Sequence, residues 1–188
     1  LVHRGAIGGD LKTGDGAGML LQIPHDFFIR ESKKQGYKLP DKGEYGIGML
    51  FLPQNEKKRK TAVNIIKEKV TEEGGNILGW RDVPVAPGCL GEIAIESMPF
   101  MSQVFVQFNN LKNSKLERKL YITRCFIEHT AKEKGLSLEE FYISSLSCVT
   151  ITYKGMFVAQ QLIDFFPDLT DEDFRSALAV IHQRYSTN

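Results

Sequence analysis

The residues best suited to chemistry lie at the two ends of the chain. Six of the seventeen glycines fall within the first eighteen residues, which end in the run 13–18 (Thr-Gly-Asp-Gly-Ala-Gly). Such glycine density is typical of backbone at positive φ or pressed against another group. At the other end, Arg184 precedes Ser186 and Thr187 at the end of a predicted strand. An arginine there can bind a carboxylate through two parallel hydrogen bonds, and the hydroxyls can donate or accept further ones.

The glycine run does not have the spacing of a nucleotide-binding loop. It contains Gly-x-Gly-x-Gly, and it precedes an apolar run over residues 19–23 that predicts a strand. A dinucleotide loop follows a strand and opens a helix, and a phosphate-binding loop continues into Lys-Ser or Lys-Thr. A structural turn, in which Asp15 bonds its own backbone, explains the run as well as direct ligand contact does.

Apolar periodicity predicts the elements that must position these ends. Helices are predicted over 24–35, 54–73 and 114–134, the last capped by Ser114 and two of them stopped by Gly74 and Gly135. Strands are predicted over 45–52, 76–85, 100–108, within 140–153 and over 177–185. Thr170 with the acidic residues 171–173 suits the start of a further helix. The pattern alone indicates a layered α/β or α+β domain with a mixed or antiparallel sheet.

Composition excludes several classes of function. The 188 residues carry a net charge of +1, which favours neither nucleic acid nor an acidic membrane surface as a partner. No apolar run approaches the roughly 20 residues of a membrane span, and no signal peptide is recognised. Cys89, Cys125 and Cys148 are scattered and lack zinc-ligand spacing to the histidines. Reduced thiols and no metal site are therefore expected.

Several motifs together resemble one family. His3-Arg4-Gly5-Ala6 and the glycine run resemble the start of the class II glutamine amidotransferase domain of glutamate synthases, and residues 182–188 (His-Gln-Arg-Tyr-Ser-Thr-Asn) resemble its second glutamine-site motif. Motifs at 79–84 (Gly-Trp-Arg-Asp-Val-Pro), 103–105 (Gln-Val-Phe) and 153–156 (Tyr-Lys-Gly-Met) follow in the family's order. The resemblance implies an α+β fold of the N-terminal-nucleophile hydrolase type, a four-layer αββα sandwich of two antiparallel sheets.

The resemblance also implies roles for four residues. Arg4 would orient the nucleophile, although a lone arginine is more often a surface residue. Arg184 would hold the α-carboxylate of glutamine, and Ser186 and Thr187 would line the same pocket. The family's N-terminal cysteine lies upstream of His3 and its oxyanion-hole Asn-Gly lies beyond Asn188. Residues 1–188 are thus expected to form most of a single domain that lacks both groups, and to be inactive alone.

In the family, ammonia released from glutamine passes to synthase domains of the same chain and reacts with 2-oxoglutarate. The resemblance implies no cofactor in residues 1–188, with FMN and an iron–sulfur cluster in other domains. It implies a small subunit or ferredoxin as a further partner, and a location in the cytoplasm or the plastid stroma. Two alternatives remain: a non-catalytic scaffold or interaction module with this fold, and a nucleotide-binding module built on the glycine run.

Overall fold

The computed structural model describes residues 12–156 and 158–183, which form two antiparallel sheets with helices. A four-stranded sheet has the order β3-β4-β2-β5, and a three-stranded sheet has the order β6-β1-β7. The strands are β1 (Ala17–Gln22), β2 (Gly46–Leu52), β3 (Gly75–Asp82), β4 (Phe100–Phe108), β5 (Tyr142–Ser147), β6 (Thr150–Gly155) and β7 (Ala179–Gln183). The helices are α1 (His25–Lys34), α2 (Glu56–Glu72), α3 (Glu92–Glu96), α4 (Asn113–Glu133) and α5 (Gln161–Phe165), with 3₁₀ turns at Pro87–Cys89 and Pro167–Thr170.

The two long helices form where the apolar stripes predict them. The side chain of Asn55 accepts a hydrogen bond from the Lys58 amide and caps α2, whose buried stripe is Ala62, Ile65, Ile66 and Val70. Gly74 and Gly135 follow α2 and α4 at a φ of 80°, which a residue with a side chain rarely adopts. Sequence and structure therefore agree on where both helices end.

Two apolar cores lie on opposite sides of the four-stranded sheet. One core lies between the two sheets and includes Leu21 and Ile151 from the three-stranded sheet with Met49 and Phe105 from the other. The second core lies between the outer face of the four-stranded sheet and helices α2 and α4. Alternate residues of β2 and β4 point into one core or the other, as the period of a strand requires. The four-stranded sheet is consequently buried on both faces.

This architecture confirms the predicted α+β class with two antiparallel sheets. Helices α2 and α4 form the layer outside the four-stranded sheet. Three local predictions were wrong. Helix α4 begins at Asn113 and has no side-chain cap from Ser114, α3 was not predicted, and the helix expected after Thr170 is absent from the described residues. Asp171 and Asp173 instead form ion pairs with Arg30 on α1, and these pairs hold the segment in an irregular conformation.

Candidate functional site

The strand that leads out of the glycine run and the strand that leads into the second motif are neighbours. Ala17 at the start of β1 pairs with Gln183 at the end of β7, and Gly18 pairs with His182. On the other side of β1, Ala17 pairs with Gly155 and Gly18 with Lys154. Motifs that are more than 150 residues apart in sequence therefore meet at one end of the three-stranded sheet.

A cavity of about 740 Å³ opens at this end of the sheet. Its polar lining includes Lys154, His182 and Glu139. Gly16 and Gly155 also line the cavity and contribute backbone atoms to its wall. Most of the remaining lining is apolar: Phe51, Leu90, Ala94, Met98, Met101 and Phe165. A mainly apolar cavity of this size with a few polar groups at one end is typical of a small-molecule site.

Gly18 separates two side chains that carry or can carry positive charge. A Cβ at Gly18 would lie 2.4 Å from Cε1 of His182 and 2.7 Å from Cβ of Lys154. The absence of a side chain lets both neighbours close over the strand. The ammonium group of Lys154 donates to the hydroxyl of Tyr142 at 2.8 Å and lies 4.2 Å from the centroid of its ring. The ring thus holds the ammonium group at the wall of the cavity.

Three of the family-like motifs converge on a buried ring of hydrogen bonds. Arg81 binds both carboxylate oxygens of Asp168, at 2.7 and 2.8 Å. Nη1 of Arg81 also donates to Oε1 of Gln103 at 3.0 Å, Gln103 donates to the hydroxyl of Tyr153 at 3.0 Å, and Tyr153 donates to Asp168 at 2.9 Å. All four side chains are at most 4% exposed. The ring joins β3 and β4 of one sheet to β6 of the other and to the turn Pro167–Thr170.

The ring's charges are matched inside the protein. Burial would lower the pKa of Arg81, but the hydrogen bonds to Asp168 and its negative charge raise that pKa above the usual value. Burial, together with the neighbouring Asp168 charge, raises the pKa of the Tyr153 hydroxyl well above its usual value. Tyr153 therefore stays protonated and serves as a hydrogen-bond donor. Such a fully satisfied network favours one arrangement of the groups that it joins.

A second buried polar group fixes the glycine run. The side-chain amide of Gln161 donates to the carbonyl of Lys12 at 3.0 Å and to the carbonyl of Cys89 at 2.6 Å. Its oxygen accepts from the amide of Val158 at 2.9 Å. Gln161 thereby joins three loop segments at the start of α5, and it supports the backbone that enters β1 beside the cavity.

The four predicted site residues, Arg4, Arg184, Ser186 and Thr187, lie outside the described residues. Strand β7 is described up to Gln183, and Arg184 is the next residue in the chain. The roles predicted for these four residues stay predictions.

None of the three cysteines has the environment of a nucleophile. Burial, with the nearby carboxylate of Glu117, raises the pKa of Cys148 to about 12. Burial also raises the pKa of Cys89, whose thiol donates to the carbonyl of Ala86 at 3.4 Å. Cys125 is exposed on α4, outside the lining of the cavity. Because an attacking thiol must ionise, Cys148 and Cys89 are unsuited to the task.

The described residues, 12–156 and 158–183, bear on metal binding and on membrane association. No group of three or more histidine, cysteine, aspartate or glutamate side chains in these ranges could hold a metal ion. No helix within the same ranges is both long and apolar enough to span a bilayer.

Several residues at the site were not singled out from the sequence. Asp168 and Gln161 were not predicted to be site residues, and their partners Arg81 and Lys12 lie 87 and 149 residues away along the chain. His182 and Lys154 belonged to the motifs but had no assigned role. The position of Asp168 directly after Phe165, Phe166 and Pro167 is the sequence signal that could have marked it as buried.

Comparison with known proteins gives one consistent result. The family model described as glutamine amidotransferases class-II matches residues 1–188. The chain is 46% identical to the glutamate synthase [NADPH] large chain of Bacillus subtilis (strain 168) over 190 residues, which cover 100% of this chain and 12% of that one. It is 42% identical to the chloroplastic ferredoxin-dependent glutamate synthase 2 of Arabidopsis thaliana over 187 residues, 99% of this chain and 11% of that one. It is also 42% identical to the glutamate synthase [NADPH] large chain of Azospirillum brasilense over 188 residues, 99% of this chain and 12% of that one. The chain thus spans about an eighth of the length of these relatives.

Proposed function

Because this chain belongs to the class-II glutamine amidotransferases, we propose that it supplies the glutamine-binding part of a domain that releases ammonia from glutamine. The observation that carries the proposal is the pairing of Ala17 with Gln183 beside the cavity. This pairing brings the end of the glycine run next to the residue that precedes Arg184. Residues 1–188 belong to a single amidotransferase domain in this proposal.

Arg184 binds the α-carboxylate of glutamine through two hydrogen bonds, and Ser186 and Thr187 contact the same end of the substrate. A guanidinium group suits this task because its fork of donors matches the two carboxylate oxygens. The aliphatic stem of glutamine fits the apolar lining of the cavity. Arg4 orients the nucleophile at the amide end.

The reaction is an acyl transfer through a cysteine outside residues 1–188. Its thiolate attacks the side-chain amide carbon, and the tetrahedral intermediate expels ammonia after the nitrogen gains a proton. Water then attacks the thioester, which releases glutamate and restores the thiol. A single donor of an oxyanion hole is worth about 3–4 kcal/mol in such a reaction. Cys89 and Cys148 have raised pKa values and Cys125 lies outside the lining of the cavity, so we expect the 188 residues alone to be inactive.

The parent protein is a glutamate synthase, in which the released ammonia reacts with 2-oxoglutarate in another domain. FMN and an iron–sulfur cluster belong to those other domains in this proposal. The relatives include both NADPH and ferredoxin-dependent enzymes by name, so the electron donor is either a small subunit that uses NADPH or ferredoxin. The location is the cytoplasm or the plastid stroma.

Ammonia release from glutamine tests the proposal on two chains. One is the 188-residue chain, and the other extends upstream to the expected cysteine and downstream through the expected Asn-Gly. We expect release by the longer chain alone. Release by the shorter chain would contradict the assignment of the nucleophile. A folded longer chain that neither releases ammonia nor binds glutamine would overturn the proposal in favour of a non-catalytic scaffold.

A further inference from the structure

Apart from the contact of His182 with Gly18, strand β7 presents most of its side chains to solvent. Residues Ala179–His182 are exposed, and none of β7 belongs to either apolar core. Within the described residues its ladder partner is β1. Burial of one face is what normally fixes the register of a strand, since a slip by one residue would expose that face. The register of β7 therefore depends on contacts outside the strand.

The segment that leads into β7 is held firmly. Asp168 lies in the buried ring with Arg81, and Arg30 forms ion pairs with Asp171 and Asp173 just beyond it. The ring of Phe174 then packs on that of Tyr153 in the inter-sheet core, with 5.6 Å between centroids. Four residues separate Arg175 from Val180, so a shift of this segment is transmitted along a short stretch of chain to the ladder with β1.

We propose that Asp168 is a positioning residue for glutamine binding. Its ion pair with Arg81 fixes the segment 167–175 on the four-stranded sheet, and this anchor sets the register of β7 against β1. Arg184 follows β7 directly, so the anchor determines where the guanidinium group meets the substrate carboxylate. The inference rests on the proposed function.

Among the ion pairs of this segment, the pair of Asp168 with Arg81 is the one best shielded from water. Both side chains of its ion pair are 4% exposed, whereas Arg30 and Asp173 are 36% and 47% exposed. Exposed ion pairs contribute little because water competes for both charges. Removing the charge of Asp168 would leave the buried guanidinium of Arg81 with only the longer contact to Glu31, 3.7 Å from its Nε, and the segment would move to relieve it.

The kinetic test uses Asp168→Asn in the full-length parent chain. We expect the KM for glutamine to rise about 10-fold while kcat for ammonia release stays within about twofold, because misplacement of a binding group weakens substrate binding in molecules that remain folded. A merely structural role would lower the folded fraction, which decreases kcat and leaves KM unchanged. Glu73→Gln is the matched control, since it removes the Lys119–Glu73 ion pair between α2 and α4, far from β7.

Hydrogen exchange gives a second measurement that does not require activity. In Asp168→Asn, we expect the amides of β1 and β7 to exchange faster and those of β4 and α2 to keep their protection. Tyr153→Phe removes the hydroxyl that donates to Asp168 and keeps the aromatic ring. It should therefore speed exchange in β1 and β7 by a smaller amount.

An unchanged KM with reduced kcat, or equally faster exchange in β4 and in β7, would overturn the positioning role. A wild-type parent chain that released no ammonia would refute the proposed function, and the exchange pattern would still decide the claim about the register of β7.

Discussion

The imidazole of His182 lies directly over Gly18, at a position where any side chain on residue 18 would collide with it. A Cβ there would come within 2.4 Å of Cε1 of His182 and within 2.7 Å of Cβ of Lys154. The first neighbour is the end of a side chain that can rotate, but the second is fixed to the backbone of β6. The contact therefore ties the composition of the glycine run to the arrangement of the strands on both sides.

Gly18→Ala should destabilise the protein by about 1–3 kcal/mol, the usual cost of overpacking. Denaturant unfolding of the 188-residue chain measures this change. Gly88→Ala is the control, because a Cβ at Gly88 would meet nothing within 4 Å and its φ is ordinary. Its effect should stay within about 0.5 kcal/mol. Equal effects of the two substitutions would show that the contact over Gly18 carries no cost.

Arg184→Lys should raise the KM for glutamine about 10- to 100-fold in the full-length chain, since lysine cannot form the paired hydrogen bonds to a carboxylate. Steady-state ammonia release at varied glutamine concentration measures the change. Arg124→Lys is the matched control, because Arg124 pairs with Glu128 on α4, outside the four-stranded sheet. A KM unaffected by Arg184→Lys would refute the assigned carboxylate contact.

Gln161→Ala should lower the free energy of unfolding by about 2–3 kcal/mol. The substitution removes three part-buried hydrogen bonds, two to the carbonyls of Lys12 and Cys89 and one from the amide of Val158. Urea unfolding followed by circular dichroism provides the measurement. Gln54→Ala removes a single exposed hydrogen bond to the carbonyl of Met98, and it should cost about 0.5 kcal/mol. If Gln161→Ala and Gln54→Ala lowered the free energy of unfolding by the same amount, the proposed support of the glycine run by Gln161 would be wrong.

The thiols of Cys125 and Cys148 should react with a maleimide at very different rates. In the 188-residue chain we expect Cys125 to be modified first, because it is exposed. Cys148 should stay unmodified at pH 7–9, because its pKa is raised to about 12 and its thiol is buried. Mass spectrometry at timed intervals identifies the modified residue, and unfolding in urea should make all three react. Native Cys148 reacting as fast as Cys125 would contradict the raised pKa.

Glu31 should contribute to stability at neutral pH and cease to do so in acid. Burial would raise its pKa, but hydrogen bonds from Lys34 and Arg30 hold the pKa below its usual 4.5. Since the folded pKa is the lower one, the stabilisation is complete above pH 4.5 and disappears as the pH falls through the folded value. The free energy of unfolding of the wild type should therefore exceed that of Glu31→Gln by about 1 kcal/mol at pH 6, and the difference should be smaller at pH 3.

Unfolding of both proteins across this range measures the effect of pH. Glu92→Gln, at an exposed position, is the control and should show little difference at any pH. A difference between wild type and Glu31→Gln that is the same at both ends of the range would exclude ionisation of Glu31 as its cause.

Local patterns predicted the regular elements well. The apolar stripe of α2 and the glycine after it placed that helix at 54–73, and the structure has Glu56–Glu72. The apolar run of β2 was equally clear, because the strand is buried on both faces. The segment after Thr170 failed because the acidic residues expected to begin a helix bind Arg30 instead, 141 and 143 residues away. A tertiary contact overrode the local preference.

The candidate site likewise combines features that the sequence predicted with features that it could not predict. The motifs around Arg81, Gln103 and Tyr153 could be recognised, but their convergence on Asp168 could not, because no local pattern specifies which distant side chains share a hydrogen-bond network. Arg4, Arg184, Ser186 and Thr187 were assigned by resemblance and lie outside the described residues. What the structure adds is the pairing of β1 with β7 and the cavity beside it.

The order of strands in the three-stranded sheet also has a consequence for synthesis on the ribosome. Strand β1 pairs only with β6 and β7 among the described strands, and these are completed at residues 155 and 183. The four-stranded sheet and its helices, by contrast, are complete once residue 147 has emerged. The nascent chain can thus assemble one sheet early, while the apolar residues of β1 wait for partners more than 120 residues away. The cavity is consequently among the last of the described features to form, because its lining includes residues of β1, β6 and β7.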